Sequence, residues 1–223
     1  LYTLGVLLIP YGAYLYGLYL GRDIQLPEKT VSLPEAAYQV IWSCHNQSSP
    51  IESESVNPYS FIYKLYKKQK RYSEDTNTRF EPLYKGDSIL YSVGHTLDFH
   101  DLKLKGIKRA LAEWAFTLKL SNTFTAREAM AIISRDSYFY RGAYGAENAS
   151  TKLYGKALTD LNIAELVTLY NLLRNPSKFD PVKHPKRAED MKIRSLERML
   201  ENGFIDQEEF EFYRDLELTF APT

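Results

Sequence analysis

The chain has 223 residues, enough for one domain, or for one domain with an anchor. Lys plus Arg and Asp plus Glu both total 28, so bulk charge gives no argument for nucleic acid as a partner. The 18 tyrosines and 11 phenylalanines can supply both core and interfacial contacts. The single cysteine, Cys44, excludes an intrachain disulfide and is silent about the redox compartment.

The first 20 residues carry no charge, and Arg22 and Asp23 follow shortly after. A stretch of that length suits a bilayer core, its Pro10 and glycines are tolerated in membrane helices, and its tyrosines suit an interfacial belt. The expectation is an N-terminal transmembrane helix over residues 1–22, with a signal peptide and a buried core helix as alternatives. Residues 23–33, with Pro27, read as an extended linker. A helix is expected from Pro34 to Ser43, with the proline in its first turn. A polar loop rich in Ser, Asn and Glu follows, and within it stands His45.

From Tyr59 to Tyr72 the apolar residues Phe61, Ile62, Leu65 and Tyr66 recur at helical spacing among Lys64, Lys67, Lys68, Lys70 and Arg71. A basic amphipathic helix of this kind points to an anionic membrane surface, and an ordinary solvated face is its plain alternative. Residues 73–87 read as a polar, mobile segment, and the tyrosine-rich loop from Tyr72 to Tyr91 is the candidate partner contact. From Ile107 a helix is expected, with Ile107, Leu111, Trp114, Ala115 and Leu118 on one side and Phe116 and Leu120 on the other. Arg109 and Glu113 share that second side at i,i+4, which makes Glu113 half of a structural pair or part of a site.

Thr125 to Glu128 is a capping box opening a helix to about Arg135. Three aromatics then lead into Gly142-Ala-Tyr-Gly145, whose glycines permit a tight turn, and a helix ends at Gly155. Asn162 to Glu165 repeats the capping signature ahead of Leu166, Leu169 and Leu172. Pro176 and Pro181 stop that helix, another spans about 185–201 before Gly203, and Asp206 caps a last short one. No strand-period run competes, so the fold class is mostly α.

Four blocks of this second half, in order, resemble family 51 glycosyltransferases. They are R-G-A-Y-G-A-E-N-A-S-T-K-L-Y-G-K, D-L-N-I-A-E-L, N-P-S-K-F-D-P and R-S-L-E-R-M-L-E-N-G-F-I. The family comprises the peptidoglycan transglycosylases of class A penicillin-binding proteins and their monofunctional relatives. The resemblance implies a lysozyme-like, mostly α transglycosylase domain over residues 23–223. It implies a place on the outer, periplasmic face of the bacterial cytoplasmic membrane, tethered by one helix. The implied reaction joins lipid-linked disaccharide-peptide units. One glutamate takes a proton from the acceptor hydroxyl, while a second glutamate and basic residues steady the departing pyrophosphate. No metal or other cofactor is implied.

The chain departs from the family where that chemistry is done. His45 and Asn46 stand in place of the first motif's Glu-Asp, and the second motif survives only as Gly86-Asp87-Ser88-Ile89. The third motif keeps Arg109 and Glu113 but has Ala110 for its lysine, and the fourth has Ala131 and Arg135 for its glutamate and asparagine. Glu113 is the one retained family carboxylate. The expectation is a degenerate member acting as a structural or partner-binding module in an envelope complex. Its expected partners are membrane lipid, other envelope proteins and a lipid-linked precursor. Arg109, Arg141, Tyr144 and Lys156 are the candidate binding residues. The alternative is a divergent active glycosyltransferase in which His45 serves as base, or Glu52 or Glu54 supplies the carboxylate.

Overall fold

The helix-starting signals in the sequence mark real helix ends. In the computed structural model, which describes residues 2–29, 33–74, 83–97 and 104–221, ten α-helices and one short hairpin are found among the described residues. They fall into two units. The first comprises Leu1–Glu28 and Glu52–Ala129, the second Lys29–Ile51 and Met130–Thr223.

In the first unit, helix α1 (Tyr2–Leu20) packs along α5 (Gly106–Thr123) and also meets α3 (Pro58–Glu74). Glycine allows the approach of α1. A side chain at Gly17 would collide with the Leu111 carbonyl and the Ala115 methyl, and one at Gly21 with the Phe116 ring. Tyr11 stacks on Tyr59, and Tyr14 meets Trp114 edge-on. Leu8, Ile9, Leu15, Tyr16 and Tyr19 stay exposed on the outer side of α1. No described helix is long and apolar enough to cross a membrane. Helix α4 (Asp87–Thr96) packs on α5, so part of the segment expected to be a polar loop is helical. Residues 75–82 of that segment lie outside the described residues. Helix α5 is buried on two faces as expected, except at its start. Ile107, expected in the buried stripe, is 77% exposed because it lies in the first turn.

In the second unit, α2 (Glu35–Cys44) packs on α8 (Ile163–Asn171) and α9 (Pro185–Glu201). Trp42, Ile41, Leu169, Tyr170, Leu196 and Met199 are fully buried there. Helix α6 (Ala126–Asp136), on which the chain passes from one unit to the other, opens on the expected capping box. The Glu128 amide donates to Thr125 Oγ1 and the Thr125 amide to Glu128 Oε2. The same reciprocal bonds open α8 at Asn162 and α10 (Gln207–Asp215) at Asp206. Helix α7 (Ala146–Tyr154) ends on Gly155 at φ 70°.

The aromatic run before α7 forms a hairpin that the strand reading missed. Strand β1 (Tyr138–Tyr140) pairs antiparallel with β2 (Ala143–Tyr144), and Tyr140 faces Ala143 across the turn. Both turn residues have positive φ, 41° at Arg141 and 80° at Gly142, as a two-residue hairpin turn needs. Gly145 has φ 78°, and a Cβ there would lie 2.7 Å from the Arg135 carbonyl oxygen, so no larger residue fits.

Candidate functional site

A cavity of about 470 Å³ opens in the first unit beside Glu113. Its α5 wall is Ala110, Glu113, Trp114 and Thr117, whose spacing puts them on one helix face. Phe61 of α3 lies between two other lining rings, its centroid 6.4 Å from that of Tyr84 and 5.9 Å from that of Trp114. Leu83, Tyr84, Asp87, Ser88 and Tyr91 complete the lining. Gly86, at φ 84°, turns the chain into α4 and sets Asp87 at its start. The Asp87 carboxylate is engaged by the backbone, accepting from the Leu83 and Ser88 amides at 2.5 Å each. The Tyr84 hydroxyl and the Trp114 indole nitrogen are buried and make no hydrogen bond among the described residues. Burial, followed by the charges of Asp87 and Glu54, holds the Tyr84 phenol well above its ordinary pKa.

Glu113 pairs with Arg109, as the i,i+4 spacing allowed. Arg109 Nε donates to its Oε1 at 2.7 Å, and both side chains are more than a third exposed. Ala110, expected at the position of the family's lysine, stands on the cavity wall. Among the described residues lining the cavity there is no Lys, Arg or His. Among its described lining residues the cavity therefore carries two carboxylates, each with a partner, and no basic side chain.

The other predicted site residues belong to the second unit. His45 caps the C-terminus of α2 and is half-buried. With Nδ1 protonated, its ring donates to the Ile41 carbonyl at 2.9 Å. Burial lowers its pKa to about 4, the Ile41 bond opposes the fall, and the Arg174 charge adds to it. The imidazole is neutral at physiological pH and engaged with its own helix. The loop after it is pinned to the end of α9, since the Ser49 amide donates to Asn202 Oδ1 at 2.9 Å and Asn202 Nδ2 to the Gln47 carbonyl at 3.0 Å. Beside it, burial pushes the Cys44 thiol up to about 12, so it behaves as an apolar core residue.

Arg141, Tyr144 and Lys156, grouped as binding candidates, have separate local roles. Arg141 lies over the Tyr140 ring at 4.8 Å and 3.7 Å from the buried Asp180 carboxylate. The Tyr140 hydroxyl is buried. Burial, then the Asp180 charge, raises its pKa. Tyr144 is 63% exposed and meets Tyr138 edge-on across the hairpin. Lys156 Nζ bonds Glu165 Oε1 at 2.6 Å, and Glu165, almost fully buried, also closes the capping box of α8. Among the described residues no group of three or more His, Cys, Asp or Glu side chains is placed to hold a metal.

The residues that sequence reasoning missed are Tyr84, Tyr91 and Trp114. Trp114 stood in the expected buried stripe and is instead half-buried at the cavity. The one signal for the others was Gly86-Asp87-Ser88, expected as what survives of the second family motif; it opens α4, which lines the same cavity as Glu113.

Comparison with known proteins now decides the family. The transglycosylase family model matches residues 95–213, just over half of the chain. The chain belongs to the transglycosylase family. Penicillin-binding protein 1A of Aquifex aeolicus is 33% identical over 105 residues, 47% of this chain and 14% of that protein. Penicillin-binding protein 1A of Pseudomonas aeruginosa is 32% identical over 107 residues, 48% of this chain and 13% of that protein. A Cupriavidus necator protein named as a candidate transglycosylase is 32% identical over 114 residues, 51% of this chain and 49% of that protein. The transglycosylase match thus covers α5 to α10 and the hairpin, while α1 to α3 and most of α4 precede it. The mostly helical architecture agrees with a transglycosylase domain.

Proposed function

We propose that this chain is a transglycosylase-type domain of the cell envelope that binds rather than polymerises. The observation that carries the reading is the cavity beside Glu113. The family reaction needs a base for the acceptor hydroxyl and cations for the pyrophosphate. Here Glu113 is bound to Arg109, Asp87 to two backbone amides, and Ala110 occupies the cation's place. His45, in place of the family's first glutamate, is held to Ile41 as a neutral ring.

The test is polymerisation of lipid-linked disaccharide-peptide by the purified chain. Loss of base and cation together lowers the rate by at least about a thousandfold, so no glycan strands form on the usual time scale. Strands made at ordinary enzyme rates would overturn the reading and favour the divergent enzyme. Asp87 and Glu113 sharing one cavity is the feature from which that alternative would draw its carboxylates.

The membrane part of the proposal rests on exposed apolar surface in the first unit. On α3, Ile62, Leu65 and Tyr66 are 44%, 49% and 65% exposed, with Lys67 and Lys68 among them, while Phe61 turns inward to Tyr84 and Trp114. Such a face suits an anionic bilayer, and the outer side of α1 adds to the apolar surface of this unit. In this reading α1 is the segment that holds the domain at the outer face of the cytoplasmic membrane, beside a lipid-linked precursor and other envelope proteins. Reversing Lys67 and Lys68 to glutamate weakens binding to anionic vesicles by at least about tenfold, at about 1 kcal/mol per basic residue near the surface. Unchanged co-sedimentation would remove α3 from the membrane contact.

A further inference from the structure

We propose that the cavity beside Glu113 is a site for an organic ammonium group on an apolar stem that carries no phosphate. The inference goes beyond the loss of catalysis, because it assigns the cavity a ligand opposite in charge to a diphosphate.

Three independent features of the lining lead there. The first is its aromatic surface. Phe61, Tyr84, Tyr91 and Trp114 all contribute, and the Phe61 ring lies within 6.4 Å of both the Tyr84 and Trp114 rings. The faces of such rings carry negative charge and attract cations, tryptophan most strongly. The second is the formal charge. Asp87 and Glu113 line the cavity, and no described lining residue is basic. Arg109 pairs with Glu113 itself at 2.7 Å, so the net negative charge of the lining rests on Asp87, and Lys64 is paired with Glu54 at 2.8 Å. The third is the field at the floor of the cavity, where the charges of Asp87 and Glu54 act with burial to keep the Tyr84 phenol protonated. Burial, the larger cause, opposes any ion there, and the Asp87 and Glu54 charges add an opposition specific to anions such as phosphate.

Size and position agree with this ligand. A volume of about 470 Å³ accepts a small cation together with several carbons of its stem. Ala110 is exposed at the wall, so its methyl group leaves open the space that a lysine would fill. A lysine at 110 would supply an ammonium of its own and compete with any cationic ligand. The alanine is therefore the residue on which the specificity turns.

Benzyltrimethylammonium is the probe, titrated into the full chain by isothermal calorimetry and by tryptophan fluorescence. The two tryptophans separate cleanly, since Trp42 is fully buried in the second unit and Trp114 lines the cavity. Saturable binding at one site is expected, at least about tenfold tighter than that of the uncharged benzyl alcohol, with the fluorescence change lost in Trp114→Phe. Inorganic pyrophosphate and phosphoethanolamine do not compete. Ala110→Lys, an exposed change that the fold tolerates, lowers ammonium affinity at least about tenfold and gains pyrophosphate binding. Glu113→Gln weakens ammonium binding in the same direction and serves if the lysine variant fails to fold. Equal affinity for benzyl alcohol, pyrophosphate or phosphoethanolamine binding to the wild-type chain, or ammonium binding unmoved by both variants would overturn the proposal. The polymerisation assay fails or succeeds separately from this titration, so the two readings are tested apart.

Discussion

The two units treat polar groups differently, and the difference shows what each is for. In the second unit, three ion pairs have one buried partner, while Arg135–Asp136 and Arg214–Asp215 have side chains at least 32% exposed. Glu165 under Lys156, Asp180 under Arg141 and Lys192 above Glu189 all have side chains exposed by 5% or less. Lys192 also donates to the Arg214 and Leu216 carbonyls at 3.0 and 3.1 Å, closing the C-terminal end of α10. In the first unit, the pairs Glu54–Lys64 and Arg109–Glu113 are between 29% and 42% exposed, and Glu113 lines a cavity. The buried partners Glu165, Asp180 and Lys192 depend on their pairs to offset desolvation, which makes them structural. Groups in the first unit stay near water, which leaves them free to change without unfolding the chain. The four blocks that resemble the family in order lie in the second unit, as do His45 and Ala131, expected at departed motif positions, while Ala110 lies in the first.

The comparison can be broken at several points. The largest effect is expected at Lys192. Lys192→Ala leaves two helix-end carbonyls without their donor and opens a void, lowering stability by about 3 kcal/mol in denaturant titration. A loss below about 1 kcal/mol would show that the lysine is not a structural group.

A pH-dependent effect is next. His45 has its pKa lowered to about 4 from an ordinary value of 6.5, so the unfolded chain binds the extra proton in that interval. The stability from keeping the ring neutral is fully present above pH 6.5 and is lost as pH falls toward about 4. The loss amounts to about 1–3 kcal/mol for a half-buried ring. His45→Asn removes this contribution, so the difference between wild type and variant shrinks as the solution is acidified from pH 7. A difference independent of pH would mean that the ring is not desolvated. The smallest effect is in the first unit. A double-mutant cycle on Arg109→Ala and Glu113→Ala should return a coupling of about 0.5 kcal/mol or less, as for other exposed i,i+4 pairs. A coupling above about 1.5 kcal/mol would make this pair as structural as those of the second unit.

The helices were legible where their ends are local. Asn162 with Glu165, Asp206 with Glu209 and Thr125 with Glu128 close reciprocal bonds across three residues, and Gly155 needs only its own positive φ. Helix α4 was not legible. It is short, opens after a glycine in the left-handed region, and carries Gly94 within it. The hairpin was missed because strands of three and two residues are too brief for an alternating pattern. Ile107 was assigned to the core because periodicity cannot tell that the first turn of a helix projects beyond its neighbours.

By itself, the order of residues determined the mostly helical class, nearly every helix start and stop, and the family. All of these rest on interactions a few residues apart or on identity at one position. Only the tertiary structure decided that Phe61, Tyr84, Asp87 and Trp114 share one cavity with Glu113. It alone showed that both carboxylates there are already engaged, and that Lys192 and Glu165 are structural. Those outcomes depend on contacts between helices distant in the chain, where burial sets the energy of each charge and no local pattern reports it.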